Sequence, residues 1–157
     1  MNFDRFFSLT EAEPERPPGP LLFLAEWSEH DWARLFAYAE LRPFRAGEWL
    51  IRAGEVDRSL MVIGEGRLEV LLPDGELGER RVGEVQSGEV IGEIAFFDGS
   101  PRSASVRATL DGEARVLSLD AFEVFAAYEP ALARSLLLEL GRVLAERLRA
   151  AERASRA

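Results

Sequence analysis

Residues 88–108 read Gly-Glu-Val-Ile-Gly-Glu-Ile-Ala-Phe-Phe-Asp-Gly-Ser-Pro-Arg-Ser-Ala-Ser-Val-Arg-Ala. Glu93-Ile94-Ala95-Phe96-Phe97 suits one short helical turn, and Asp98-Gly99-Ser100-Pro101 ends it. Gly92, just before the turn, permits close backbone approach. A helix beginning after such a residue presents backbone N–H groups that lack intrahelical acceptors, a setting that favours an anion. Arg102 can make paired, charge-assisted hydrogen bonds to phosphate oxygens. The small residues Ser103 and Ala104 then open a strand and let such a group reach the backbone. Glu93 is out of place in a plain anion site, but its carboxylate accepts well from a sugar hydroxyl. The set therefore suits a ribose phosphate with a free 2′-OH.

Outward from this stretch, residues 41–119 alternate short β-rich runs with turn signals. The runs are Glu48–Arg52, Ser59–Ile63, Arg67–Leu72, Arg80–Val85, Ser103–Thr109 and Ala114–Leu119. Turns are expected at Ala46-Gly47, Ala53-Gly54-Glu55, Gly64-Glu65-Gly66, Pro73-Asp74-Gly75 and Asp111-Gly112. Helical patterns flank them. Ser28-Glu29-His30-Asp31 has capping-box spacing, with Trp27 and Trp32 placed as a hydrophobic staple. This predicts a helix from Glu29 to about Glu40, with Trp32, Leu35, Phe36 and Ala39 on one face and His30 in an exposed turn. Asp120-Ala121-Phe122-Glu123 reads as a second cap. Pro130 suits the first turn of a last helix running to about Arg153. Leu132, Leu136, Leu137, Leu140, Val143, Leu144 and Leu148 form its apolar stripe, which packs on the barrel, pairs with another copy or closes over a ligand. The fold class is α+β: an antiparallel jelly-roll β-barrel flanked by an N-terminal helix and two C-terminal helices. Thr10–Pro20 holds four prolines, a glycine and three glutamates, so residues 1–26 read as a strap or linker, 27–153 as the domain and 154–157 as a tail.

The composition removes most other chemistry. The chain has 157 residues, 28 acidic against 19 basic, and a formal net charge of -9. All of its basic residues are Arg. This balance opposes a broad nucleic-acid footprint or docking on an anionic membrane. With no Cys and one His, thiol catalysis, thiolate metal sites, a His-rich zinc site and a cupin-type metal centre all lack their ligands. No secretory signal pattern opens the chain, and the reading is of a cytoplasmic protein.

Ile91-Gly92-Glu93 followed by Pro101-Arg102-Ser103-Ala104-Ser105-Val106 resembles the phosphate-binding cassette of the cyclic-nucleotide-binding domain family. That family includes bacterial catabolite activators, regulatory subunits of cyclic-nucleotide-dependent kinases and nucleotide-gated channels. The resemblance covers about residues 28–150. It includes the glycines of Arg45-Ala46-Gly47-Glu48, Ala53-Gly54-Glu55, Ile63-Gly64-Glu65-Gly66 and Ser87-Gly88-Glu89, and the placing of Phe122 and Pro130.

The resemblance implies a cyclic nucleotide ligand, cAMP ahead of cGMP, with no further cofactor. It implies that Glu93 binds the ribose 2′-OH and Arg102 the cyclic phosphate. The amides of Ala95 and Ser103 and the Ser103 hydroxyl would complete the cradle, with Gly92, Ile94 and Ala104 lining it. Val70, Leu72, Val82 and Val85 would pack the purine. Arg147 and Leu148 stand where the activators carry two base-reading hydroxyl residues; Arg147 either caps the purine or is a surface arginine. Arg107 and Arg115 read as solvated strand residues. No helix-turn-helix, kinase, cyclase or channel segment is expected within the chain. The function implied is a non-catalytic, stand-alone sensor or adaptor that signals through its C-terminal helices to an effector protein. It would bind neither nucleic acid nor membrane, and would form a homodimer through the helix from Pro130. The other reading is an interaction module of the same fold with a vestigial pocket.

Overall fold

Ser28 starts the first helix as its spacing demands. Its hydroxyl accepts from the Asp31 N–H at 3.2 Å, and the Asp31 carboxylate accepts from the Ser28 N–H at 3.1 Å. The rings of Trp27 and Trp32 close the staple edge-on, 5.3 Å apart. The computed structural model describes residues 23–156. Most of the expected strap, residues 1–22, lies outside that range; Phe23 and Leu24, at its end, are buried in the core.

Helix α1 spans Glu29–Phe36 and ends before the expected Glu40. The amides of Tyr38 and Ala39 turn back onto the Leu35 and Phe36 carbonyls, and Glu40 enters strand β1 (Glu40–Phe44). Strand pairing thus overrides helical propensity there. Pro43 hid this strand in the sequence; it is tolerated because β1 lies at the sheet edge. The remaining elements are β2 (Trp49–Ile51), β3 (Leu60–Pro73), a 3-10 turn at Gly75–Leu77, β4 (Glu79–Gln86), β5 (Val90–Ile91), α2 (Glu93–Asp98), β6 (Ser105–Leu117), α3 (Leu119–Tyr128) and α4 (Pro130–Ser155). The sheet is antiparallel, ordered β1-β6-β3-β4, with β2 on β6 and β5 on β3. Together with the four α-helices this is the expected α+β jelly-roll architecture.

Two expected turns are not turns. β3 joins the runs Ser59–Ile63 and Arg67–Leu72 into one strand, and β6 likewise passes straight through Asp111-Gly112. Register shifts at Ile63/Glu65 and Glu65/Arg67 let the two long strands bend while staying paired. Gly112 is what permits this. A Cβ there would lie 2.1 Å from the Glu65 carbonyl oxygen and 2.7 Å from the Gly66 Cα.

Alternation along β3 divides the interior. Leu60 and Val62 face a helical core with Trp32, Leu35, Phe96, Phe122, Phe125, Leu136 and Leu140, whereas Met61 and Ile63 face a barrel core with Leu68, Val70, Val82, Val85, Ile91 and Val106. The α3 cap is Ser118, whose hydroxyl accepts from the Ala121 N–H at 3.1 Å, not Asp120. Asp120 instead lies in the first turn, at the positive end of the helix. The α4 stripe is also narrower than its leucines suggest. Ala133, Leu136, Leu140, Ala150 and Ala151 are buried, while Leu137, Leu138 and Leu148 project outward.

Gly112→Ala is expected to lower unfolding free energy by about 2 kcal/mol or more, because one strand must move. Gly141→Ala, in open space on α4, is expected to raise it by about 0.4–1 kcal/mol. Urea denaturation measures both, and wild-type stability in Gly112→Ala would refute the close-approach account.

Candidate functional site

α2 begins at Gly92, whose φ of 85° is left-handed. A Cβ at this position would meet both the Arg102 Nη1 and the Ser59 carbonyl oxygen at 2.7 Å. Glycine is therefore required twice over, for its dihedral and for the space that Arg102 occupies. The first turn leaves the amides of Glu93, Ile94 and Ala95 without intrahelical acceptors. At its other end, α2 is held by Arg58. That guanidinium donates to the carbonyls of Ala95 (3.2 Å), Phe96 (2.8 Å) and Phe97 (2.9 Å), a cation set against the negative end of the helix.

Arg102 is fixed through both backbone and side chain. Its N–H donates to the Glu55 carbonyl and its own carbonyl accepts from the Gly54 N–H, each at 2.8 Å. These bonds tie the strand entrance to the loop after β2. Its side chain is only 4% exposed. Nη1 donates to the Gly92 carbonyl at 3.1 Å, and Nη2 to the Ser59 carbonyl at 2.7 Å. The carboxylate it faces among the described residues at ion-pair range is Asp57, at 3.7 Å. Burial holds the Arg102 pKa below its ordinary value, and the carboxylates of Asp57, Glu55 and Glu93 oppose that shift. The guanidinium stays charged throughout. The result is a desolvated cation with mostly neutral acceptors around it.

Partial burial pushes the Asp57 carboxyl up. Hydrogen bonds from Ser59 and the charge of Arg102 outweigh that and leave it below the usual carboxylate range.

These residues wall a cleft of about 490 Å³ including its open mouth, between α2, the start of β6 and the barrel wall. It is lined by Gly92, Glu93, Ile94, Ala95, Arg102, Ser103 and Ala104, with Val70 from β3. The cassette residues singled out in the sequence therefore come together on one concave surface. The apolar wall differs from expectation. Val82 and Val85 belong to the barrel core, as Val70 does, and Leu72 packs against it, but none of the three is among the lining residues. Ile51, Ile91, Pro101 and Val106 line the cleft instead. Alternation in the sequence marks which residues face inward, not which of them border the cleft.

Arg147 is neither a simple surface arginine nor free in the cleft. Nη1 pairs with Glu93 Oε1, and Nη2 donates to the Val90 carbonyl at 3.1 Å. Glu93 is 3% exposed. Arg107 lies on the outer sheet, bonded to Glu69 (2.8 Å from Nε) and stacked over Trp49; Arg115 covers the Phe36 ring. His30 is exposed in the first turn of α1.

Sequence reasoning missed Asp57, Arg58 and Ser59. Their signal was slight: a polar Asp-Arg-Ser break between the Gly54 turn and the apolar run from Leu60. Among the described residues, no group of three or more His, Cys, Asp or Glu could hold a metal ion, and no helix is long and apolar enough to cross a membrane.

With this geometry in place, residues 41–129 match the family model described as cyclic nucleotide-binding domain. Over 121 residues, 77% of its length, the chain is 31% identical to an NTE family protein of Mycobacterium tuberculosis. It is also 31% identical over 120 residues to the cAMP-activated global transcriptional regulator Vfr of Pseudomonas aeruginosa, covering 74% of this chain and 54% of Vfr. The chain spans about a fifth of the length of the mycobacterial relative. A cyclic nucleotide-binding domain from Methylobacillus flagellatus superposes with a TM-score of 0.75 at 28% identity, over 85% of this chain and 75% of that one.

The depressed Asp57 pKa makes its contribution to stability full above the unfolded carboxyl value of about 4 and lost as pH falls through the lower folded value. Wild-type unfolding free energy should thus fall more steeply below about pH 4 than that of Asp57→Asn. Denaturant titrations across that range check it, with parallel profiles as the contrary result.

Proposed function

The chain belongs to the cyclic nucleotide-binding domain family, and from that membership we propose that it senses a 3′,5′-cyclic nucleotide, cAMP ahead of cGMP. The observation that carries the reading is the pairing, on one cleft, of a buried cation at Arg102 with a buried carboxylate at Glu93. A phosphate oxygen supplies the anionic partner that Arg102 has only at 3.7 Å, and a ribose hydroxyl supplies a donor to Glu93. The amides of the first α2 turn and of Ser103 complete the phosphate cradle. Val70, Ile51, Ile91 and Val106 give the base an apolar wall.

Binding and orientation account for every residue of this set, and none is placed as a nucleophile or a general base towards another. The protein acts as a non-catalytic sensor in the cytoplasm, and its output passes through α3 and α4 to an effector protein. The aqueous charge of -9 repels nucleotide anions at long range, so selectivity rests on these local donors. The outward Leu137, Leu138 and Leu148 of α4 suit a second copy of the chain.

Titration calorimetry with cAMP and cGMP tests the reading. Saturable binding of at least one is expected, with thermal stabilisation that grows with concentration. Arg102→Ala should weaken it tenfold to a hundredfold, since a charge-assisted hydrogen bond contributes roughly 1.5–3 kcal/mol. Absence of binding by both at millimolar concentration overturns the proposal and favours the interaction module. For the dimer, sedimentation should give twice the chain mass for wild type and a single-chain mass for Leu137→Glu/Leu148→Glu. An equal mass for the two proteins counts against α4 as the interface.

A further inference from the structure

The inner face of α4 runs through Ala133, Leu136, Leu140, Val143, Arg147 and Ala150 at helical spacing, and five of these six are apolar. Arg147 occupies a core position, and its side chain is only 14% exposed. From there it reaches across to α2 and takes the Glu93 carboxylate, while its second amino group is bonded to the Val90 carbonyl at the end of β5. With the arginine in place, the Glu93 side chain is 4% exposed. A sugar hydroxyl that takes Oε1 must displace the guanidinium that holds it.

We infer that Arg147 is a tethered competitor for the ribose subsite, so that engagement of a 2′-OH by Glu93 requires release of α4 from α2. This rests on the reading of the cleft as a cyclic-nucleotide site. A neutral hydroxyl donor does not replace a guanidinium charge. Breaking the buried pair therefore carries a penalty, which lowers the apparent affinity for any nucleotide that uses Glu93. A nucleotide that lacks the 2′-OH has no claim on Glu93 and leaves the pair intact. Two consequences follow from the same contact. Arg147 suppresses discrimination between ribose and deoxyribose nucleotides. It also makes the second half of α4 the element that moves when a ribonucleotide binds. Arg142 does not share this role: it pairs with Glu139 and Glu146 along α4 itself.

The test uses the full chain. Calorimetry measures cAMP and cGMP, each beside its 2′-deoxy counterpart, on wild type, Arg147→Ala and Arg147→Gln; thermal midpoints verify that the variants fold. The ratio of deoxy to ribo dissociation constants is expected to rise about fivefold or more in both variants, through tighter ribonucleotide binding, with the deoxy constants nearly unchanged. In wild type, amide hydrogen exchange over residues 147–155 should speed up with the ribonucleotide and not with its deoxy form. An unchanged ratio, with Arg102-dependent binding intact, overturns the competitor role and leaves the nucleotide site standing. Weaker ribonucleotide binding in both variants also overturns it, making Arg147 a residue that orients Glu93. No binding by any form removes the nucleotide reading itself.

Discussion

A guanidinium taken out of water is the constraint around which the site is built. Burying Arg102 costs hydration that a distant carboxylate cannot return, so backbone carbonyls must be aimed at it from two directions. One is Gly92 at the start of α2, the other Ser59 at the entrance to β3. Neither carbonyl is placed unless Gly92 adopts a left-handed dihedral and unless the loop at 54–55 pairs with the Arg102 backbone. The loop at 54–55, Ser59 and Gly92 are thus all fixed to one residue, the first by its backbone and the other two by its side chain. The same arrangement leaves the charge incompletely neutralised, and that residual charge is what an anion entering the cleft would meet.

The sheet supplies the rigidity this requires. β3 and β6 run through without turning, and β3 is buried on both faces over Leu60–Ile63. At Ile91 the cleft floor backs directly onto the helical core through Val90. Residues at the floor cannot relax independently of α3 and α4, because Met61 and Leu60, or Ile91 and Val90, are neighbours in the chain and belong to different cores.

What could be read in the sequence was mostly local. Ser28 and Asp31 cap α1 as their spacing says, and the Gly92-Glu93 and Pro101–Val106 segments converge on one cleft because few residues separate them. The misreadings have a common origin in contacts from elsewhere in the chain. Gly64-Glu65-Gly66 and Asp111-Gly112 have turn chemistry, but each is the other's packing partner, and the strands continue through both. Leu72, Val82 and Val85 have the right character for a base pocket but do not border the cleft. Arg147 stood out as a candidate, yet its partner lies 54 residues away, and no pattern in either segment announces the pair.

α2 has six residues, too few for its own hydrogen bonds to hold it together. It persists because guanidinium groups grip it at both ends, Arg102 at the Gly92 carbonyl and Arg58 at the carbonyls of Ala95, Phe96 and Phe97. A segment clamped in this way has no slack to absorb a push by unwinding. Ala95 faces the cleft, and its neighbour Phe96 sits edge-on against Phe122 of α3, ring centres 5.3 Å apart. The short helix is in effect a stiff lever one residue long: what displaces the alanine displaces the ring.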